Sequence, residues 1–118
     1  MFKETLQEVV DHTDGGVASL LMDFDGILLE KYVRESDFDV ESVGIEFSVI
    51  LKNIRNAAEL LEAGDAKEVA IQAERLTTVI RLLNSEYFVA VALRPSGNLG
   101  KARFLLRTRG GKLLADLE

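Results

Sequence analysis

The sequence predicts an α+β domain in the order α-β-β-α-β-β-β-α, with one five-stranded antiparallel sheet and helices on both faces. Three observations carry this. Apolar residues recur at spacings of three and four in three separate stretches, the period of an amphipathic helix. Five short β-prone runs stand among them. The turns joining neighbouring runs are too short for the crossover a parallel pair needs, so the strands are antiparallel and the helices stack on them as layers. A chain of 118 residues has room for one core, and residues 1–118 read as a single domain.

The first helix covers residues 2–13, with Phe2, Leu6, Val9 and Val10 on one face and the lone histidine, His12, near its end. Asp14-Gly15-Gly16 stops it. Val17–Met22 and Ile27–Val33 are two strands around Asp23-Phe24-Asp25-Gly26, an Asp-Gly hairpin signal. The first of these is apolar on both faces, which predicts a strand covered on both sides. Residues 34–40 (RESDFDV) are a polar loop. A long helix follows, with Asp39 or Glu41 favouring its start through the helix dipole. Val43, Phe47, Ile50, Ile54, Ala57 and Leu61 form its main stripe, and Gly64 is the expected residue just past its end. Twenty-odd residues make a rod of roughly 30 Å, enough to cross the whole domain.

Three strands come next, Lys67–Ala73, Leu76–Leu83 and Tyr87–Leu93, joined as a meander by short turns. Pro95-Ser96-Gly97-Asn98 ends the meander, and the last helix spans residues 99–117. Gly110-Gly111 falls inside it, and each glycine costs about 1 kcal/mol against alanine, so a kink or break is expected there.

Composition removes several function classes. With no cysteine there are no disulfides, thiolate metal sites or thiol catalysis, and one histidine excludes a multi-histidine metal centre. The net charge of −6 opposes binding to nucleic acid or anionic lipid. No apolar run nears the ~20 residues of a membrane span. The polar start, MFKETLQEVV, does not read as a secretory signal. The expectation is a cytoplasmic protein that binds no nucleic acid and inserts in no membrane.

The catalytic inventory is poor. LLMDFDGILLE, residues 20–30, resembles the nucleophile motif of haloacid-dehalogenase-type phosphatases, in which Asp23 would attack phosphorus and Asp25 act as acid/base beside Mg²⁺. Ile27 stands where that motif has Thr or Val, and the segment joins two strands with no room for a helix. A β-turn explains the same residues. Asp-x-Asp-Gly between strands also lacks the flanking helices of a calcium loop. Ser96-Gly97-Asn98-Leu99-Gly100-Lys101 lacks phosphate-loop spacing. Lys101, Arg103, Arg107 and Arg109 form a basic cluster on the last helix, suited to solvent or to an acidic partner. No catalytic residue, metal site or cofactor is assigned, and an interaction protein is the better reading.

The long helix supports that reading. Beside its main stripe, Ile45 and Val49 form a second apolar line, continued by Lys52, Asn53 and Asn56. One stripe suffices to cover a sheet, so a second implies either a wider core face or burial against another chain. If Lys67–Ala73 is an edge strand, two copies can pair there about a two-fold axis and set their long helices side by side.

The whole chain resembles the roadblock family in its prokaryotic, MglB-like branch. The resemblance rests on the element order, Gly16-Val17-Ala18-Ser19, Met22-Asp23-x-Asp25-Gly26, Glu46-Phe47-Ser48, Leu60 to Gly64, Tyr87-Phe88-Val89 and Gly100-Lys101-Ala102-Arg103. It implies a non-enzymic homodimer, or a tetramer, that serves as a platform for a Ras-like small GTPase and accelerates its GTP hydrolysis. The phosphoryl chemistry would belong to the partner. It implies GTPase contacts at Glu46, Asn53, Asn56 and Glu59, and a dimer interface at Ile45, Val49, Lys52, Val69 and Ile71. The alternatives are a structural adaptor without effect on hydrolysis, and the phosphatase-like enzyme using Asp23 and Asp25.

Overall fold

The computed structural model describes residues 1–35 and 37–118. The elements are α1 (Phe2–Asp11), β1 (Gly16–Asp23), β2 (Leu28–Val33), α2 (Val40–Leu60), β3 (Glu68–Gln72), β4 (Thr77–Leu82), β5 (Tyr87–Leu93) and α3 (Leu99–Leu117). Of the predicted loop 34–40, residue 36 lies outside the described residues. The five strands form one sheet in the order β2-β1-β5-β4-β3, antiparallel throughout. The predicted α+β architecture is thus the observed one.

The sheet separates two cores. Alternation sends Leu21, Val79, Val89 and Val91 to one face, where Leu6, Val9 and Val10 of α1 and Leu105, Leu106 and Leu113 of α3 cover them. Leu20, Met22, Ile80, Phe88 and Ala90 point to the other face, beneath Leu51 of α2. β1 is internal and buried along nearly its whole length, which is why its sequence is apolar on both faces. Its one buried hydroxyl, Ser19, donates to the Leu6 carbonyl of α1 at 3.0 Å and ties helix to sheet.

The β1–β2 turn is held by Asp23. Its Oδ1 accepts from the backbone N–H groups of Asp25 and Ile27, both at 2.9 Å, and Gly26 takes φ +85°. Asp25 is exposed and faces Lys52 Nζ at 3.5 Å. The two carboxylates therefore serve a turn and its contact with α2. Among the described residues, no three His, Cys, Asp or Glu side chains cluster as metal ligands would.

Three details differ from the sequence reading. The buried line of α2 is Val40, Gly44, Ser48 and Leu51, rotated by roughly 95° from the centre of the predicted stripe. Gly44 is the cause: a Cβ there would lie 2.6 Å from Leu20 Cδ2 and 2.9 Å from Met22 Cε, so its absence lets α2 lie close on β1. The residue past the end of α2 is Glu62, not Gly64. Glu62 takes φ +55°, its N–H reaches the Glu59 carbonyl, and the Ala63 N–H reaches Ala58, a Schellman ending. Finally, α3 runs unbroken through Gly110-Gly111. Gly110 packs so closely on β4 that a Cβ would stand 3.1 Å from Leu83 Cδ2, and this tertiary contact overrides the local weakness.

Candidate functional site: the outer face of α2 and the β3 edge

α2 begins at Asp39, whose side chain accepts from the Ser42 N–H at 3.1 Å and the Ser42 hydroxyl at 2.7 Å. Those hydrogen bonds hold its carboxyl below the usual carboxylate range. From this cap the helix runs 21 residues across one face of the sheet. At its far end Arg55 stacks on Phe24, 4.5 Å from the ring centroid, and donates to the Ser85 carbonyl at 3.2 Å. That pair locks the helix rotation, which no periodicity specifies.

The rotation sorts the sequence-predicted residues into three groups. Ile45 and Lys52 lie on the flank beside the β1–β2 turn: Ile45 is next to Gly26 and Lys52 faces Asp25. Lys52, Asn56 and Glu59 line an open cleft of about 900 Å³ between the second half of α2 and the β4–β5 turn. Glu46, Val49 and Asn53 are exposed on the side away from the sheet, with Val49 57% accessible. Val69 and Ile71 sit on β3 at the far sheet edge, half-buried on the α2 face opposite Ile80 and Thr78 of β4. The structure thus brings Lys52, Asn56 and Glu59 together and leaves Val69 and Ile71 on a separate edge.

Sequence reasoning missed several exposed apolar residues here. Ile50 and Ala57 flank the half-buried Phe47 and Ile54, on the side of α2 that shares a core with Val69 and Ile71. Ile27, 62% exposed at the hairpin tip, extends the opposite flank beside Ile45. Leu60 and Leu61 crown the end of the helix. The signal for Ile50 was present, since it lay in the predicted stripe, but that stripe was read as inward-facing.

β3 is an edge strand of five residues whose outer backbone groups have no strand partner among the described residues. Glu68 ties it to α3, accepting from Arg103 Nε at 2.8 Å and standing 2.6 Å from Arg103 Nη2. That carboxylate holds the guanidinium pKa above its ordinary value. An exposed apolar helix face and an open strand edge are each equipped for chain–chain contact, the edge through backbone hydrogen bonds and the helix through burial.

This arrangement, a five-stranded antiparallel sheet between one long helix and a helix pair, defines a roadblock-type domain. MglC from Myxococcus xanthus is 35% identical, over 96% of this chain and 96% of that one, with a TM-score of 0.69. MglB from Thermus thermophilus, described as a gliding protein, is 19% identical over 96% of this chain and 84% of its own, with a TM-score of 0.81. A roadblock/LC7 domain from Streptomyces avermitilis is 14% identical over 95% of this chain and 97% of its own, with a TM-score of 0.78. The chain belongs to the roadblock family, in its prokaryotic branch with MglB and MglC. No protein-family model matches the sequence, and no curated protein does. Among the described residues, no helix is long and apolar enough to cross a membrane.

Proposed function

We propose that this chain is a non-enzymic, cytoplasmic homodimeric platform that binds a Ras-like small GTPase and accelerates its GTP hydrolysis. The observation that carries the proposal is the open β3 edge, with Val69 and Ile71 half-buried on the α2 side of the sheet, together with the exposed apolar residues Ile50 and Ala57 on α2. Pairing two β3 edges antiparallel about a two-fold axis would extend the sheet and set the two α2 helices next to each other. The seam would bury Val69 and Ile71 and bring the Ile50 flank of each α2 toward its mate, whereas Ile45 and Lys52, proposed from sequence as seam residues, stand on the opposite flank beside the β1–β2 turn. Glu46, Asn53, Asn56 and Glu59 would then face outward as polar contacts for the GTPase. Likeness to MglB and MglC supports the reading, and one MglB structure has a tetrameric arrangement.

The test has two parts. Light scattering after size exclusion gives the mass of the assembly; the expectation is twice 13.1 kDa, reduced to one chain by Ile71→Asp. GTP turnover by a co-occurring small GTPase is then measured with and without the chain. Faster turnover, lost in Asn53→Ala with Asn56→Ala, meets the expectation. Binding without a change in turnover would make the chain an adaptor, and a monomer that binds no GTPase would overturn the proposal.

A further inference from the structure

The sheet has two edges, β2 and β3, and only one of them is defended. β2 is bulged opposite Leu21 and Met22 of β1 and carries an exposed charge at Lys31, two devices that keep an edge from pairing. β3 has neither a bulge nor a proline: it pairs with β4 residue for residue from Glu68 to Gln72. Its one charge, Glu68, is taken up by Arg103. α2 packs on β1 and β2 and α3 on β4 and β5, so both faces of β3 are thinly covered. Val69 and Ile71 are left half-buried in consequence.

Two hydrogen bonds at the ends of β3 identify which of its backbone groups are free. The Leu82 N–H donates to the Lys67 carbonyl at 2.9 Å, and the Ala73 N–H donates to the Leu76 carbonyl at 3.0 Å. Both join directly opposed residues and continue the β3–β4 register. Direction alternates along a strand, so Lys67, Val69, Ile71 and Ala73 turn their N–H and C=O groups toward β4. Glu68, Ala70 and Gln72 turn theirs outward. The extended segment 67–73 is therefore symmetric about Ala70 in its free backbone groups.

We propose that β3 pairs with β3 of a second copy in a single register, with Ala70 on the two-fold axis; this rests on the platform reading and fixes the geometry of its seam. The two-fold axis makes the pairing antiparallel, and only residues with outward groups bond one another. With Ala70 on the axis, Glu68 lies opposite Gln72 of the second copy and Ala70 opposite its own image, which gives about six backbone hydrogen bonds. Moving the axis to Val69 or Ile71 leaves about four. The side chains select the same register. It sets Val69 against Ile71 on the α2 face, and the Gln72 amide against the Glu68 carboxylate on the other. At its ends it directs Asp65 toward Arg75 of the second copy, and Lys67 toward Glu74. The Ile71 axis instead directs Glu68 toward Glu74 and Lys67 toward Arg75, like against like. The segment is thus its own complement, which selects a second copy over a strand of unrelated sequence. A one-residue move of the axis slides the second copy by about 7 Å, so the register also sets how the two α2 helices stand to each other.

The absence of cysteine makes the test clean, since Glu68→Cys, Ala70→Cys and Gln72→Cys each carry one thiol. The full chain is treated with a bifunctional thiosulfonate reaching about 5 Å, close to the ~5.5 Å Cα separation of a hydrogen-bonded pair. Ala70→Cys should link to its own image. Glu68→Cys and Gln72→Cys should not link alone, because their images lie about 13 Å away along the strand. They should link to each other once mixed and left to exchange. Preferential linking of Ala70→Cys with Glu68→Cys, the Val69 axis, overturns the proposal, as does preferential linking with Gln72→Cys, the Ile71 axis. Ala70→Pro deletes an N–H that points outward and spares the β4 ladder, so it should fold with unchanged circular dichroism. Losing both axial hydrogen bonds should weaken the dimer at least ~10-fold. Ile71→Pro deletes an N–H that β4 uses, and should lower the melting temperature instead. A folded Ala70→Pro that dimerises as the parent does overturns the proposal. A dimer linked in another register ends this inference and leaves the platform reading standing. A dimer in the Ala70 register that binds no GTPase does the reverse, and a monomer at every concentration ends both.

Discussion

Replacing glycine by alanine at three positions tests the helix packing directly, because the same methyl group should have three different effects. At Gly111 the new Cβ meets nothing within 4 Å. The helix then gains the full propensity difference, about 0.8–1 kcal/mol. For 118 residues the unfolding entropy is roughly 0.25 kcal/mol/K, so Tm should rise by about 4 °C. At Gly110 the Cβ would lie 3.1 Å from Leu83 Cδ2, the end of a half-buried flexible side chain. The packing loss there offsets the propensity gain, and the net change should be near zero. At Gly16 the Cβ would lie 2.4 Å from the Val10 carbonyl oxygen and 3.1 Å from that of Thr13. Backbone at the end of α1 cannot yield as a side chain does, so the expected loss is about 3 kcal/mol. Thermal and urea unfolding followed by circular dichroism measure all three. A Gly111→Ala variant that melts lower than the parent would refute the unbroken α3 and restore the break expected from sequence. A neutral Gly16→Ala would refute the close seating of α1 on β1.

Two further outcomes follow from the contacts at helix ends and between helices. Asn98 Oδ1 accepts from the Lys101 N–H at 3.0 Å, and Asn98→Ala should cost about 1 kcal/mol, read as a lower urea midpoint at unchanged slope. Arg109 donates to Glu8 at 2.8 Å across α1 and α3, and that hydrogen bond holds the Glu8 carboxyl below the usual carboxylate range. A carboxyl depressed in the folded state stabilises above its unfolded value of about 4.3, and the stabilisation is lost as pH falls through the folded value. Arg109→Met should therefore lower stability by about 0.5–1 kcal/mol near pH 7, the pair being about one-third exposed. The difference from the parent should shrink below about pH 4 and vanish once Glu8 is protonated in both states.

Much of the fold was legible along the chain because its signals are local. Asp23 and Gly26 announced a turn through their own backbone chemistry, and Asp23 holds it through two N–H groups. β1 announced burial on both faces by lacking polar alternation. The candidate site was less legible. Val69 and Ile71 could be placed on an edge only conditionally, since strand order depends on which strands pair across the chain. Ile50 lay in a recognised stripe yet faces outward, because Gly44 and the Arg55–Phe24 stack set the helix rotation from outside the helix. Periodicity states that a helix has faces; it does not state which one meets the sheet.

The sequence by itself determined the order of the elements, the antiparallel sheet, the turns and the family resemblance, since each rests on residues near one another in the chain. The tertiary structure alone decided the roll of α2, the continuity of α3 through two glycines, and the placing of Phe104 and Leu60 in solvent. Those outcomes depend on packing between residues far apart in sequence. Methyl-sized contacts of Gly44 with Leu20 and of Gly110 with Leu83 outweigh the local preferences that the chain order records.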